Sequence, residues 1–422
     1  MSLRLRFKAG ALPALLLPCA AMATNGYFSH GYGTQSLGQG GTGIALSTDA
    51  LAPATNPANT GAGGGDRLDL GLTLFLPRRS AGIAGNAFGP DSQHDGDSRK
   101  VFAIPEAGFS QTLSPALSWG VALYGNGGMN TGYASNPYGR YGAQGKAGVN
   151  LEQLFITPAL AFRPSPGQSL GVGLNLAVQR FSAQGIGLFD GFSAAPGHVS
   201  DQGTDTSVGA GLRLGWTGSL APGFTVGATW SQKIRGRFDN YRGLFADAGR
   251  FDVPENAGLG LAWAASPGIT LLADAQRIRY SRVAAVGDSA ALLFGGTPLG
   301  APRGPGFGWR DVTVLKLGVQ WRVRGDVTLR AGYSHGRQPV PAAETFFNIL
   351  APGVVQDHLT AGATWALSPH NEFSAYVAYA PGKTVQGQHS IPPGAPPAGL
   401  GGGEASIRLK ETLLGASYAW TW

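Results

Sequence analysis

From residue 67 onward, hydrophobic residues alternate with small or polar residues along the chain. In the clearest segment, 67–76, five leucines fall on one face and an aspartate, a glycine, a threonine and a phenylalanine fall on the other. A period of two is typical of a β-strand whose faces meet different environments. The pattern predicts fourteen strands, at 67–76, 101–113, 118–129, 151–162, 169–180, 206–216, 223–233, 255–264, 268–279, 311–323, 326–335, 357–366, 371–380 and 408–422.

The tenth of these strands carries an irregular pattern. Val312 and Val314 fall on one parity, whereas Leu315, Leu317 and the following hydrophobic residues fall on the other. A β-bulge inserts one residue and restores the alternation. We therefore expect a bulge near the start of this strand.

The connections between the predicted strands alternate between short and long. Short turns such as 324–325 are followed by long segments such as 280–310, and this is typical of an outer-membrane barrel with periplasmic turns and outer loops. Seven of the nine tryptophans fall at the short-turn ends, and Tyr280, Tyr333 and Tyr379 fall near the opposite rim, as interfacial aromatic residues do. An open sheet in lipid would leave backbone groups unpaired, so the prediction is one closed, all-β, antiparallel transmembrane barrel.

Composition agrees with a membrane barrel rather than with a soluble enzyme. Only 13% of the 422 residues are charged, and 68 are glycine. Residues 1–23 have basic residues followed by a hydrophobic run and an Ala-Met-Ala end, which predicts a secretory signal peptide containing the sole cysteine, Cys19. No later run reaches the ~18 hydrophobic residues of a membrane-spanning helix. Cations are scattered, so we expect no nucleic-acid partner.

Residues 24–66 lack the alternation and are rich in small residues, which suits a plug packed inside the barrel of residues 67–422. This segment contains Asn25-Gly26-Tyr27-Phe28, the glycine-rich stretch 38–43 and Asn56-Pro57-Ala58. Together with 241–254, 329–333 and Pro339-Val340-Pro341, these motifs resemble the FadL/TodX-type outer-membrane transporters of long-chain fatty acids and other hydrophobic compounds. The alternative from the residues alone is a loose periplasmic arm.

The resemblance implies a fourteen-stranded barrel with an amino-terminal hatch, passive uptake of a hydrophobic molecule, and a kinked third strand that opens the wall sideways. The matching residues are Tyr124, Gly125, Asn126, Gly127, Gly128 and Met129, where small residues interrupt the alternation. The hypothesis is capture at the outer loops, transfer to a lumen pocket, displacement of the hatch around Tyr27 and Phe28, and lateral exit. An ordinary glycine-rich rim is the alternative.

Charged residues at inward strand positions are the next candidates. The parity places Asp69, Arg213, Asp274, Lys316, Arg330, Glu372 and Glu411 in the lumen. Mixed signs favour ion pairs that tie the hatch to the wall, because a buried charge is costly without a partner. The alternative is that Arg213, Lys316 or Arg330 binds a ligand carboxylate.

The long loops carry hydrophobic clusters, including Phe189 with Phe192 and Leu292 with Phe294. They suggest a surface that captures a hydrophobic ligand, or else the loops' own small cores. Basic residues near the outer rim, at 233–237 and 277–282, suggest contact with lipopolysaccharide phosphates, with ordinary solvation as the alternative.

Enzymatic motifs are weak in this chain. The sequence Gly332-Tyr333-Ser334-His335-Gly336 fits G-x-S-x-G, but prolines follow where a helix should begin. Residues 38–43 fit G-x-G-x-x-G without a βαβ context, and the histidines have no metal-ligand spacing. We expect no cofactor, no metal and no catalysis. The aromatic carboxyl end predicts recognition by the barrel-assembly machinery, and we expect a monomer. The competing functions are a diffusion porin for polar solutes and a lipid-acting membrane enzyme.

Overall fold

The computed structural model describes residues 25–422 as one barrel with a plug; the predicted signal peptide, residues 1–23, lies outside the described residues. Fourteen strands pair antiparallel with their sequence neighbours, and the last pairs with the first. The strands are β1 (Arg67–Ala84), β2 (Phe102–Ser114), β3 (Leu117–Tyr133), β4 (Ala147–Ser165), β5 (Gln168–Gln184), β6 (Asp205–Ala221), β7 (Phe224–Ser231), β8 (Asn256–Ser266), β9 (Ile269–Ile278), β10 (Val312–Arg324), β11 (Val327–Gly336), β12 (Asp357–Ser368), β13 (Asn371–Gln386) and β14 (Glu404–Thr421). The predicted closed all-β barrel is confirmed.

The remaining regular elements are short and lie in the plug and the long loops. A four-residue strand, Ser92–Asp95, folds back onto the far end of β1. The helical turns are Thr34–Leu37, Ala52–Thr55, Pro57–Asn59, Gly139–Tyr141, Gly187–Phe192, Asp239–Tyr241, Ala246–Gly249, Tyr280–Arg282, Ala284–Gly287, Ala291–Phe294, Ala342–Glu344 and Phe347–Ile349. No helix within residues 25–422 is long and hydrophobic enough to cross a membrane.

Several strands extend beyond the predicted bounds, and they do so mainly toward the long loops. Strand β1 continues from the predicted residue 76 to Ala84, and β4 begins at Ala147 rather than at 151. Alternation requires lipid on one face, whereas backbone pairing does not. The pattern therefore fades where the strands leave the lipid, while the hydrogen-bonded ladder continues.

The bulge expected at the start of β10 is absent. Residues 312–321 pair with β9 in unbroken register, with Val312 and Val314 buried inside and Leu315 and Leu317 facing outward at 56% and 58% exposure. Both parities are hydrophobic because the lumen itself becomes hydrophobic near the long loops. There the two valines join a cluster that includes Ile278 and Tyr280.

Residues 25–66 lie inside the barrel, where inward-facing glycines make room for them; we call this segment the hatch. An added Cβ on Gly171 would fall 2.1 Å from the backbone nitrogen of Ala58, and one on Gly215 would fall 1.9 Å from Asn56 Oδ1. Asn56 also donates its amide to the carbonyl oxygens of Ile44 (2.7 Å) and Trp216 (3.1 Å). The Asn56-Pro57-Ala58 motif therefore fixes the hatch against β5 and β6.

Candidate functional site

Strands β2 and β3 separate toward the long-loop end of the barrel. Their pairing runs from Ser114 opposite Leu117 as far as Ala107 opposite Leu123 and stops there. Beyond this point β2 remains paired with β1 along its other edge. The edge of β3 that faces β2 has no strand partner until Gly132 forms a bridge to Asp97. Residues 102–106 of β2 and 124–131 of β3 thus border an interval without strand pairing, which we call the wall gap.

The first residues of the hatch occupy the wall gap. Phe28 forms a bridge with Gly127, the backbone nitrogen of Ser29 donates to the carbonyl oxygen of Asn126 (3.0 Å), and that of Gly128 donates to the carbonyl oxygen of Tyr27 (3.0 Å). A Cβ on Gly127 would fall 1.6 Å from this carbonyl oxygen. Gly127 is therefore the point at which the hatch backbone lies directly on the strand.

Strand β3 carries a bulge within the predicted opening. Its register with β4 shifts between Gly125 and Gly127, which leaves Asn126 as the extra residue. The Asn126 side chain accepts from the Tyr32 hydroxyl (2.7 Å) and donates to Gln153 Oε1 (2.9 Å). Tyr124 packs on Tyr32 with ring centroids 4.6 Å apart. The glycine-rich stretch is thus an irregular strand held by hatch and wall together.

An aromatic cluster surrounds Tyr27, a residue expected to contact ligand. Its ring lies 5.2 Å from Tyr280, 5.8 Å from Trp309 and 6.0 Å from Phe251, and Phe28 lies 5.6 Å away. The Tyr280 hydroxyl accepts from the Tyr27 backbone nitrogen (3.2 Å), and burial raises the pKa of Tyr27 well above its usual 10.0. In this arrangement Tyr27 and Phe28 contact other aromatic side chains.

Tyr280 is not at the lipid interface, as predicted for the outer rim, but is fully buried inside. The prediction was wrong because β9 ends at Ile278 and the chain turns into the lumen as a helical turn, Tyr280–Arg282. The sequence also did not reveal Trp309 as a buried member of this aromatic cluster. It lies in the longest loop, where no alternation reveals which way a side chain points.

The three lumen cations proposed as carboxylate ligands all contact hatch or wall atoms. Arg213 Nη1 donates to the carbonyl oxygens of Ala54 (2.6 Å) and Thr55 (3.0 Å). Lys316 Nζ donates to the carbonyl oxygen of Gly41 (3.2 Å). Arg330 donates to Gln35 Oε1 (3.1 Å) and to Thr364 Oγ1 (2.6 Å). These contacts tie the hatch to the wall, and ligand binding by the three cations stays a prediction.

Wall carboxylates accept hydrogen bonds from backbone N–H groups of the hatch. Asp274 Oδ2 accepts from the backbone nitrogens of Gly43 (2.8 Å) and Ile44 (3.1 Å), and Asp69 Oδ2 accepts from that of Ala50 (2.9 Å). Glu106 Oε1 accepts from both the backbone nitrogen and the hydroxyl of Thr34 (2.9 Å each). Glu106 was missed by the sequence analysis because the alternation of β2 is weak. Glu106 has the same inward parity as Phe102 and Ile104, and this shared parity is the signal that could have identified it as a lumen residue.

His30 and Asp49 are buried titratable residues of the hatch. Burial lowers the pKa of His30 from 6.5 to about 4, with Lys316 nearby acting in the same direction. Burial, followed by the charge of Asp69, raises the pKa of Asp49 from 3.8 to about 6. The docked hatch therefore favours neutral forms at both positions.

A cavity of about 310 Å³, including its open mouth, lies between β1, β14, the upper part of β3 and the loop at 351–353. Its walls combine hydrophobic groups with a guanidinium and a carboxyl group. The lining residues are Phe75, Pro77, Arg79, Met129, Asn130, Ala351, Pro352, Gly353, Leu409 and Glu411. Met129 belongs to both the cavity and the wall gap, so the cavity adjoins the gap.

The hydrophobic loop residues divide into buried and partly exposed groups. Phe189 is buried and lies 5.5 Å from the Phe347 ring and 5.6 Å from the Tyr138 ring, as in a small loop core. Phe192 and Phe294 are half-buried, and Leu292 is 38% exposed. Capture of ligand by these loops stays a prediction, with Leu292 the most accessible of the four.

The enzymatic motifs have no catalytic geometry in the structure. Ser334 is fully buried, and its hydroxyl makes no hydrogen bond within residues 25–422. The stretch 38–43 belongs to the hatch and is not directly followed by a helix. No group of three or more histidine, cysteine, aspartate or glutamate side chains suited to a metal occurs in the described part of the chain.

The fold and the site together define a class: an outer-membrane β-barrel whose lumen holds an amino-terminal hatch. Residues 20–391 match the model of the family described as outer membrane protein transport protein (OMPP1/FadL/TodX), and the chain belongs to this family. Members of this family are transport proteins of the outer membrane that carry hydrophobic compounds. No curated protein sequence matches the chain.

Solved structures agree on the fold at low sequence identity. A Pseudomonas aeruginosa FadL homologue superposes with a TM-score of 0.71 at 18% identity, covering 94% of this chain and 99% of its own. The P. putida toluene transporter TodX gives 0.67 at 17% identity over 93% and 99%. The Ralstonia pickettii toluene transporter TbuX gives 0.65 at 17% identity over 93% and 99%.

Proposed function

We propose that this transporter takes up hydrophobic molecules from outside the cell and releases them sideways through the wall gap. The ligand enters among the long loops, passes into the lumen, and leaves after the hatch residues 27–29 move away from β3. The substrate is a fatty acid, an aromatic hydrocarbon or a related hydrophobic compound. A hydrophobic solute loses about 0.8 kcal/mol per CH₂ when it enters water, so a route that ends in lipid is favoured over a route through the periplasmic end.

The observation that carries this proposal is the pairing of the hatch with β3. Strand pairing is missing between β2 and β3 at the wall gap, and there the hatch itself forms backbone hydrogen bonds with β3. Few hydrogen bonds hold residues 27–29 to the strand, so local opening there requires far less free energy than unfolding of the barrel.

A reversible disulfide across the wall gap tests lateral release. A Cβ on Gly125 would lie 3.0 Å from Ile104 Cγ2, so cysteines at both positions come close enough to cross-link. We expect cells that express the double variant Ile104→Cys with Gly125→Cys to lose uptake of radiolabelled toluene and oleate when oxidised and to regain it on reduction. The two single-cysteine variants serve as controls. Unchanged uptake with complete cross-linking would refute lateral release.

A diffusion porin is the competing function, and the same protein distinguishes it. A porin gives a steady single-channel conductance in a planar bilayer, independent of the cross-link. A hatch-gated transporter has little conductance until the hatch is loosened.

A further inference from the structure

Three basic side chains lie on the outward face of β1 and β14, toward the long loops; we call Arg78, Arg408 and Lys410 the basic cluster. They share the outward parity of Leu74 on β1 and Leu414 on β14, which lie opposite each other and are 39% and 46% exposed. Arg78 follows Leu74 by four residues, about 13 Å along a strand. The outward face of these two strands therefore changes from hydrophobic to basic over a short distance.

Tyr379 of β13 shows where the basic cluster lies relative to the membrane. Its ring is 38% exposed, and its backbone pairs with Thr412, two residues before the outer end of the hydrophobic face. Lys410 Nζ lies 5.3 Å from the centroid of this ring. Tyrosine rings on the outward face of a barrel favour the boundary between hydrocarbon and headgroups. The basic cluster is therefore at the headgroup level of the outer leaflet.

The charges of the basic cluster are poorly balanced by the protein. Arg78 lies directly opposite Lys410 in the strand register, and like charges at such positions destabilise a sheet. Arg408 and Lys410 form no ion pair within residues 25–422. Arg78 Nη1 lies 3.7 Å from Asp97 Oδ2, but this carboxylate already pairs with Arg79 at 3.1 Å. An anionic group from outside the chain would therefore relieve the repulsion.

The basic residues expected from the sequence to contact lipopolysaccharide, at 233–237 and 277–282, differ in this respect. Lys233, Arg277 and Arg282 have carboxylate partners at 3.3, 3.1 and 2.7 Å. An external anion must compete with these carboxylates. Contact of these residues with lipopolysaccharide stays a prediction, and they provide a comparison for the basic cluster.

We propose that the basic cluster binds the phosphate groups of lipopolysaccharide. Phosphate oxygens accept charge-assisted hydrogen bonds from guanidinium and ammonium groups. Neighbouring positions on one face of paired strands are about 5–7 Å apart, so the three cations can share one phosphorylated headgroup. The acyl chains lie on the exposed hydrophobic residues below, such as Leu74, Val377 and Leu414. This continuous basic and hydrophobic surface favours a lipid over a soluble phosphate.

Lipid A, the membrane anchor of lipopolysaccharide, tests the proposal in three forms that have the same acyl chains and two, one or no phosphate groups. Each form is titrated against the full mature chain in a non-ionic detergent, and native mass spectrometry gives the fraction of barrels that carry one lipid. Comparing variant with wild type for one lipid cancels its partition into micelles. We expect wild type to bind the form with two phosphates at least about 10-fold more tightly than the phosphate-free form, and less tightly as salt is raised.

A triple variant, Arg78→Gln with Arg408→Gln and Lys410→Gln, removes the charge of the basic cluster. Each cation near an anionic headgroup contributes about fivefold in affinity, so binding of the form with two phosphates should weaken about 100-fold. Binding of the phosphate-free form should stay within about twofold, because the hydrophobic face is unchanged.

The matched control removes the same number of charges elsewhere on the outer rim. The triple variant Arg277→Gln with Arg279→Gln and Arg282→Gln should leave the affinity for the form with two phosphates within about threefold of wild type. Heat-sensitive electrophoretic mobility shows whether each variant is a folded barrel. If the cluster variant does not fold, the single variants Arg408→Gln and Lys410→Gln replace it, each with an expected loss of about fivefold.

Three results would overturn the proposal: equal affinity of wild type and the cluster variant for the form with two phosphates, an equal loss of affinity in the control variant, or equal binding of all three forms to wild type. Each of these results leaves the proposed transport function standing. Uptake of toluene and oleate is measured separately in cells.

Discussion

Replacing Asp274 by alanine should loosen the hatch more than any single change at the surface. Asp274 is 5% exposed, and its Oδ2 accepts two backbone hydrogen bonds, from Gly43 and Ile44. Hydrogen bonds to a charged group contribute about 1.5–3 kcal/mol each, so at the lower value the loss is about 3 kcal/mol. The population with a detached hatch segment should rise about 100-fold.

A cysteine in the hatch measures this population. Ala45 is 3% exposed, and the sole natural cysteine, Cys19, lies in the predicted signal peptide. The variant Ala45→Cys should react with a maleimide only when the segment detaches. We expect labelling of the purified barrel to be about 100-fold faster when Asp274→Ala is added, with a parallel rise in planar-bilayer conductance.

The matched control for this experiment is Asp326→Ala. Asp326 lies in an exposed short turn, and the ion pair that it forms with Arg324 is exposed as well. This change should leave the labelling rate unaltered. If Asp274→Ala labels at the rate of the control while the barrel stays folded, the carboxylate does not hold the hatch, and the assignment of its role is wrong.

Three further predictions use the same protein. Protonation of His30 opposes docking of the hatch, because the pKa of His30 in the docked hatch is lowered from 6.5 to about 4, so docking weakens as the pH falls below 6.5. The rate of Ala45→Cys labelling at pH 5, divided by the rate at pH 7.5, should be about 30-fold higher with His30 in place than in the His30→Gln variant. Asp49, whose pKa is raised to about 6, acts oppositely in both proteins. Gly127→Ala should displace residues 27–29 and change toluene uptake, whereas Gly139→Ala, whose Cβ meets nothing within 4 Å, should not; equal uptake by both would contradict the close approach. Deleting residues 418–422 removes the partners of Arg67–Leu70 and should abolish the heat-sensitive mobility of the folded barrel, and a deletion product that still folds would show that closure does not need them.

The sequence predicts the wall of this protein better than its interior. Leu70 and Leu72 must meet lipid while Asp69 and Gly71 face the lumen, so each face of the strand meets one environment and the alternation is clear. Near the long loops the lumen is hydrophobic too, and Val312 and Val314 then break the pattern without breaking the strand. The mistaken bulge and the overlooked Glu106 have this common cause.

The interior contacts could not be read from the sequence because they join residues far apart along the chain. Tyr27 meets Tyr280 and Trp309, and Arg213 meets the carbonyl oxygen of Ala54. Parity identified Arg213, Lys316 and Arg330 as inward cations, but it carries no information on whether a ligand or the hatch backbone lies opposite. Only the path of the hatch decides between those partners.

That path divides the hatch into two parts that are held by different forces. Residues 34–58 are fixed by charged side chains of the wall, such as Asp274 and Arg213, whereas residues 25–29 are held by aromatic contacts and backbone pairing at the wall gap. Opening the wall gap therefore requires movement of residues 25–29 alone. It follows that Gly127→Ala should change uptake without accelerating Ala45→Cys labelling, and that Asp274→Ala should accelerate labelling whether or not the gap is cross-linked. A variant that changed both together would indicate that the hatch moves as a single body.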